Sequence, residues 1–116
     1  MCAAAAGFTG VALGAFAAHA LKARLTPEML AVFETGARYQ MYHALALIAV
    51  AWIASRSPSP LAAWAGWLFV VGTLLFSGSL YALALSGVRI FGAITPLGGL
   101  SFMAGWICLA LAARRM

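Results

Sequence analysis

The chain has 116 residues, 66% of them hydrophobic and 8% charged, and a formal net charge of +5. Soluble domains carry about 25% charged and about 45–50% apolar residues, and a domain this small cannot hide so much apolar surface from water. A water-soluble enzyme, a nucleic-acid module and a disordered tail are excluded. Residues 1–116 fit a single polytopic membrane domain with four spans of about 20 residues each.

Apolar runs cover about 2–21, 40–54, 61–86 and 94–113, with polar breaks at 22–39, 55–60 and 87–93. Lipid offers the backbone no hydrogen-bond partner, so each run is predicted to be a helix that closes its own bonds. In the first run Ala18-His19-Ala20 resembles a signal-peptidase site. No Lys or Arg precedes the run, however, and Gly7, Gly10 and Gly14 lie inside it, so it reads as a retained span. The missing basic flank also fits a start placed slightly late. Gly7, Gly10, Gly14 and Ala18 share a narrow arc, and Gly10-xxx-Gly14 is a close-approach pattern.

The break after the first run contains its own helix signal. Thr26-Pro27 places a hydroxyl at the N-cap and a proline at the first helical position. From there to Arg38, Met29, Leu30, Phe33 and Ala37 share one face, and Glu28, Glu34, Thr35 and Arg38 share the other. This predicts an amphipathic helix over about 27–38, lying at the interface before the second span. Glu34 and Arg38 stand in the favourable i,i+4 order. They form either a solvated helix face or, if the helix tucks under the bundle, a buried polar node.

Ser59-Pro60 and Thr95-Pro96 repeat the helix-start signal before the third and fourth runs; Pro96 alternatively kinks a span that begins near Ile90. The third run carries Gly66, Thr73, Ser77 and Tyr81 on one side and Gly72, Ser79 and Ser86 on the other. Those stripes suit two neighbours in the same chain, or one neighbour and a second protomer. The fourth run has Gly98, Ser101, Gly105 and Ala112 on one face. The fold class expected is thus an all-α membrane protein, a four-transmembrane-helix bundle with one amphipathic interfacial helix between the first and second spans.

Lys22, Arg24, Arg38, Arg56, Arg89, Arg114 and Arg115 oppose only Glu28 and Glu34. Most sit at the ends of apolar runs, as flanks of spans at an anionic lipid surface do, and no nucleic-acid patch is needed to explain them. Their distribution between the two sides is nearly even; the Arg114-Arg115 tail favours both termini in the cytoplasm. Cys2 and Cys108 lie in apolar sequence without metal-ligand spacing and read as spectator thiols.

Chemistry-bearing side chains are few. His19 ends the first run and His43 begins the second, so both are expected at similar depth, with Tyr39 one turn before His43. Ionisable groups within a membrane point to function by default. Two such histidines suit axial haem ligation or a polar binding site, or simply imidazoles bonded near the headgroups; zinc wants three or four ligands. Tyr39, Gln40, Tyr42 and Trp52 bracket the second span as interfacial groups do, and Trp64, Trp67 and Trp106 suit the same belt or helix packing. No GxSxG elbow, phosphate-cradling loop, H-E-x-x-H or paired-carboxylate constellation is present. No catalytic residue, cofactor or metal site is therefore assigned. The candidate polar cluster, at one membrane face, is His19, Glu34, Arg38, Tyr39, His43, Ser77 and Tyr81.

Four blocks in order carry a resemblance: Gly14-Ala-Phe-Ala-Ala-His19, Phe33-Glu-Thr-Gly-Ala-Arg-Tyr-Gln-Met-Tyr-His43, Leu75-Phe-Ser-Gly-Ser-Leu-Tyr81 and Gly92-Ala-Ile-Thr-Pro-Leu-Gly-Gly99. From about Gly7 to Ala112 the chain resembles the small YgdD-like integral membrane family, domain of unknown function 423, which includes the animal protein called transmembrane protein 256. Relatives often show glycine where Ala17 or Ala18 precedes the histidine. The resemblance implies a four-span bacterial inner-membrane protein and no assigned reaction. Two functions remain open: a non-enzymatic protein acting through helix association, as an accessory subunit or homo-oligomer, or a carrier of a small molecule or lipid, or a haem binder, that uses the polar cluster. Membrane lipid is the expected partner in either case.

Overall fold

Thr26-Pro27 and Ser59-Pro60 begin helices in the computed structural model, which describes residues 1–116. The helices are α1 (Cys2–His19), α2 (Pro27–Arg56), α3 (Pro60–Ser86) and α4 (Ile90–Arg114), with a 3₁₀ turn at Leu21–Ala23. Thr26 Oγ1 accepts the Met29 N–H at 3.2 Å, and Ser59 Oγ accepts the Ala62 N–H at 3.3 Å. Each satisfies a first-turn donor that the helix itself leaves unpaired. Gly87 closes α3 with φ 73°, a left-handed conformation that suits glycine.

Thr95-Pro96 acts differently. Helix α4 begins at Ile90 and carries Pro96 inside it, so the fourth helix starts earlier than about 94. A proline there removes one backbone N–H, and the Thr95 hydroxyl beside it pairs with Ser79 Oγ on α3 at 2.6 Å. That cross-helix contact holds the first turns of α4 in register.

The second difference is larger. No break separates an amphipathic segment over 27–38 from a span over 40–54; α2 is one helix of 30 residues. At about 1.5 Å per residue it is ~45 Å long, close to the 48 Å long axis of the molecule. Nothing between Arg38 and Gln40 stops a helix. The apolar face of Phe33 and Ala37 continues through Gln40, His43, Ala44 and Leu47 as one buried stripe. Glu28, Glu34 and Arg38 stay exposed on the opposite face, so the amphipathic pattern is real but belongs to the first turns of a long helix.

Three helical stretches are long and apolar enough to cross a membrane: Cys2–Ala23, Pro60–Ser86 and Ile90–Arg114. Helix α2 has the length, but the polar residues of its first half dilute its apolar character. Successive helices run antiparallel: Gly10 meets Gln40 and Met41, Gly66 meets Val50, and Gly98 meets Phe76. Helix α1 packs on α2, α2 on α3, and α3 on α4; α2 and α4 touch little, and α1 and α4 form no packed pair. The arrangement is a serial row 48 × 26 × 16 Å in extent, flatter than a closed bundle.

Small residues set the close approaches. On α3 the two stripes serve two neighbours within the chain: Gly66 and Ser77 face α2, while Gly72 and Ser79 face α4. A Cβ on Gly72 would sit 2.5 Å from the Phe102 ring, and one on Gly98 would run into the Phe76 backbone. The α1 stripe is spent only in part. Gly10 lies against α2, whereas a Cβ on Gly7 or Gly14 would meet nothing within 4 Å.

Candidate functional site

Helix α2 carries two buried polar side chains, Gln40 and His43, one on each side of its contact with the row. Burial of such groups is costly unless every donor and acceptor is matched. Both are matched, by different neighbours.

His43 is 4% exposed and reaches α4. Its ring lies parallel to that of Phe102, with centroids 3.5 Å apart and planes 6° apart. Phe69 and Trp106 close in at 5.3 and 5.9 Å. Nδ1 is 2.7 Å from the Tyr39 carbonyl oxygen, and the Trp106 indole N–H donates to Nε2 at 3.1 Å. A carbonyl only accepts and an indole N–H only donates, so the partners assign the proton to Nδ1 and leave the lone pair on Nε2. The imidazole is neutral, with both nitrogens engaged.

Gln40 joins three helices. Tyr81 Oη on α3 donates to Gln40 Oε1 at 2.7 Å, and Gln40 Nε2 donates to the Ala6 carbonyl at 2.9 Å and to Thr9 Oγ1 at 2.7 Å on α1. Its place at the start of the second apolar run had suited Gln40 to the interface. The signal available was its position in the Phe33–Ala37 stripe, which turns it inward. Ser77, 1% exposed, donates to the Gly36 carbonyl at 2.7 Å, and Ser101 donates to the Leu68 carbonyl at 2.7 Å. Every buried side-chain nitrogen and oxygen has a hydrogen-bond partner.

The residues of the predicted cluster therefore fall in separate places. His43, Ser77 and Tyr81 are packed between helices, in different contacts. His19 is exposed at the end of α1. Tyr39 is part-exposed, with its ring 4.8 Å from Phe76 and 5.4 Å from Tyr42. Glu34 and Arg38 are exposed beside a groove of about 390 Å³ that Gly10, Gly14, Ala37, Met41 and Tyr42 complete. The expected match in depth between the two histidines fails for a simple reason. Ala17 packs near Phe33, and α2 continues unbroken and antiparallel to α1, which puts His43 roughly 18 Å along the axis from His19. Joint axial ligation of one iron does not fit that separation, nor does it fit the engaged His43 nitrogens.

A second opening, about 420 Å³, lies between α1, α2 and α3. Ala5, Leu13, Leu47, Val70 and Leu74 line it, with Gln40 and Tyr81 at its floor. Gln40 and Tyr81 have no donor to spare, since Tyr81 gives its only O–H to Gln40 and Gln40 gives its N–H groups to α1; the Thr73 hydroxyl, also in the lining, makes no bond within the chain. The opening therefore suits a largely apolar occupant. No three His, Cys, Asp or Glu side chains come together as a metal site would require. Cys2 and Cys108 are free thiols.

A family described as protein of unknown function (DUF423) matches residues 13–99. The chain is 50% identical over 101 residues to a UPF0382 membrane protein of Staphylococcus haemolyticus, covering 87% of this chain and 82% of that one. It is 48% identical over 104 residues to the UPF0382 membrane protein YwdK of Bacillus subtilis, covering 89% and 85%. With the UPF0382 inner membrane protein YgdD of Escherichia coli it shares 43% identity over 114 residues, covering 98% and 87%. No solved structure matches the chain.

Proposed function

The chain belongs to the DUF423 family, and from that premise we propose that it is a four-span inner-membrane protein that works through helix association, as a homo-oligomer or an accessory subunit, without catalysing a reaction. The observation that carries this reading is the complete pairing of its interior polar groups. A catalytic or carrier site keeps some donor, acceptor or base available to a substrate. Here Gln40, His43, Ser77 and Tyr81 are consumed in joining helices, and each such bond is worth about 0.6–2 kcal/mol in lipid. Helix α2 then crosses as the fourth span, its buried stripe held by α1 and α3.

Extraction into native-lipid discs followed by native mass spectrometry tests the reading. A defined oligomer, or a stoichiometric partner protein, is the expected result. A strictly monomeric chain that retains no protein partner overturns it. The Arg114-Arg115 tail supports both termini in the cytoplasm; a C-terminal green fluorescent protein then fluoresces in a bacterial host, and a dark fusion places the tail outside.

The opening between α1 and α3 favours a second reading, a carrier of an apolar chain such as a lipid acyl group. Leu74, 68% exposed at its rim, is the position to fill. Under this reading Leu74→Trp expels a lipid that co-purifies with the unsubstituted protein. Unchanged lipid retention removes it.

A further inference from the structure

We propose that two copies of the chain pair across the α1–α2 groove, with Glu34 of each copy against Arg38 of the other. The inference rests on the association reading above and names the surface that performs it.

Depth is the first argument. Gly36 packs against Tyr81 and the Ser77 carbonyl, and Gly10 packs against Gln40 and Met41. Arg38 lies between those two levels, beside the middle of α1, and Glu34 lies one turn away. With α1 and α3 crossing the bilayer, Arg38 stands inside its hydrocarbon layer, while Glu34, beside Phe33 at the level of Ala17 and Ala84, stands near the layer's edge. Both are exposed in the single chain. Ionisable side chains at that depth face a bundle interior, a watery cavity or one another, because lipid solvates them poorly.

Complementarity is the second. A two-fold axis along the membrane normal places identical residues of two copies at the same depth, and residue i of one meets residue j of the other twice. A surface with charge of one sign repels its own copy. Glu34 and Arg38 are opposite in sign and about 6 Å apart along α2, a gap an arginine side chain spans. One face thus satisfies both charges of both copies.

Shape is the third. Helix α1 stands at the end of the row with only α2 packed beside it. Gly10 and Gly14 line the groove with the two charges, and Gly14 has open space where a side chain would be. The groove, about 390 Å³, admits the edge of a second copy to close range. Within the chain the glycine stripes of α3 and α4 are already occupied. The stripe of α1 is the one left partly open.

The test uses the full chain in native-lipid discs. Glu34→Arg and Arg38→Glu each abolish the dimer when expressed alone, with helical content by circular dichroism as the folding control. Co-expressed, the two variants recover a mixed dimer at least tenfold above either alone, since each supplies the sign the other lost. A second measurement leaves the charges untouched. With Cys2 and Cys108 replaced by serine, Gly14→Cys forms an intermolecular disulfide, while Leu100→Cys, an exposed position on α4, forms none. Crosslinking at position 100 but not at 14, with dimers surviving charge reversal, overturns this interface and leaves the association reading standing. A chain that assembles with nothing, its charges met by lipid headgroups, overturns both.

Discussion

The Trp106 indole nitrogen lies 3.1 Å from Nε2 of His43, so the two side chains bond one to the other between α2 and α4. Those helices touch little elsewhere. Together with the stacking of His43 on Phe102, the bond ties directly two elements that the serial row otherwise connects through α3. Trp106→Phe keeps most of the ring and removes the donor, leaving a buried nitrogen unpaired at a cost of about 1–3 kcal/mol. His43→Phe in the same background removes the orphan as well. Equilibrium unfolding of both single variants and the double variant in mild detergent should give a coupling of about 1 kcal/mol. Strict additivity would show that the contact contributes nothing to the fold.

The Gln40–Tyr81 bond should behave similarly, across α2 and α3. Tyr81→Phe strands Gln40 Oε1, and Gln40→Leu strands both Tyr81 Oη and the α1 acceptors. The expected coupling between the two positions is about 0.6–2 kcal/mol, the range of hydrogen bonds between helices in membranes. Gln40→Leu should also loosen α1 from α2, read as faster proteolysis near the N-terminus. Equal protease resistance in the variant would assign the α1–α2 contact to apolar packing alone.

Adjacent glycines on α4 offer a sharper contrast. A Cβ on Gly98 runs into the Phe76 backbone, while one on Gly99 meets nothing within 4 Å. Gly98→Ala should therefore force α3 and α4 apart and destabilise by about 1–3 kcal/mol or more. Gly99→Ala should be neutral or stabilising by up to about 1 kcal/mol, the helix-propensity gain. Melting temperatures of the two variants in one detergent test this, and similar values would place the α3–α4 contact elsewhere.

How much of this was readable in the chain depends on the range of the signal. Thr26-Pro27 and Ser59-Pro60 act within one turn, so those helix starts were legible, and so were the small-residue stripes of α3 and α4, whose period is local. Thr95-Pro96 carries the same local signal, yet a contact with Ser79 on another helix overrides it. The polar cluster was grouped by an assumed turn between residues 38 and 40. Without that turn, His19 and His43 separate in depth, and Tyr81 bonds to Gln40, a residue outside the expected cluster. The Phe33–Ala37 stripe turns Gln40 inward, but which groups it meets there depends on how α1 and α3 pack, and no local pattern encodes that.

The unbroken α2 is the feature on which this geometry depends, and it has a direct readout. Spin labels attached at Glu28→Cys and Arg56→Cys, in a chain with Cys2 and Cys108 replaced by serine, sit 28 residues apart on one helix. A straight helix separates them by about 42 Å. An amphipathic segment lying flat at the interface and then turning into a span would bring the labels substantially closer, because the two arms would meet at an angle near residue 39. Pulsed dipolar distances in lipid discs should cluster near the longer value with a narrow spread. A short or bimodal distribution would remove the depth assigned to Arg38, and the depth argument for its pairing with Glu34 between copies would go with it.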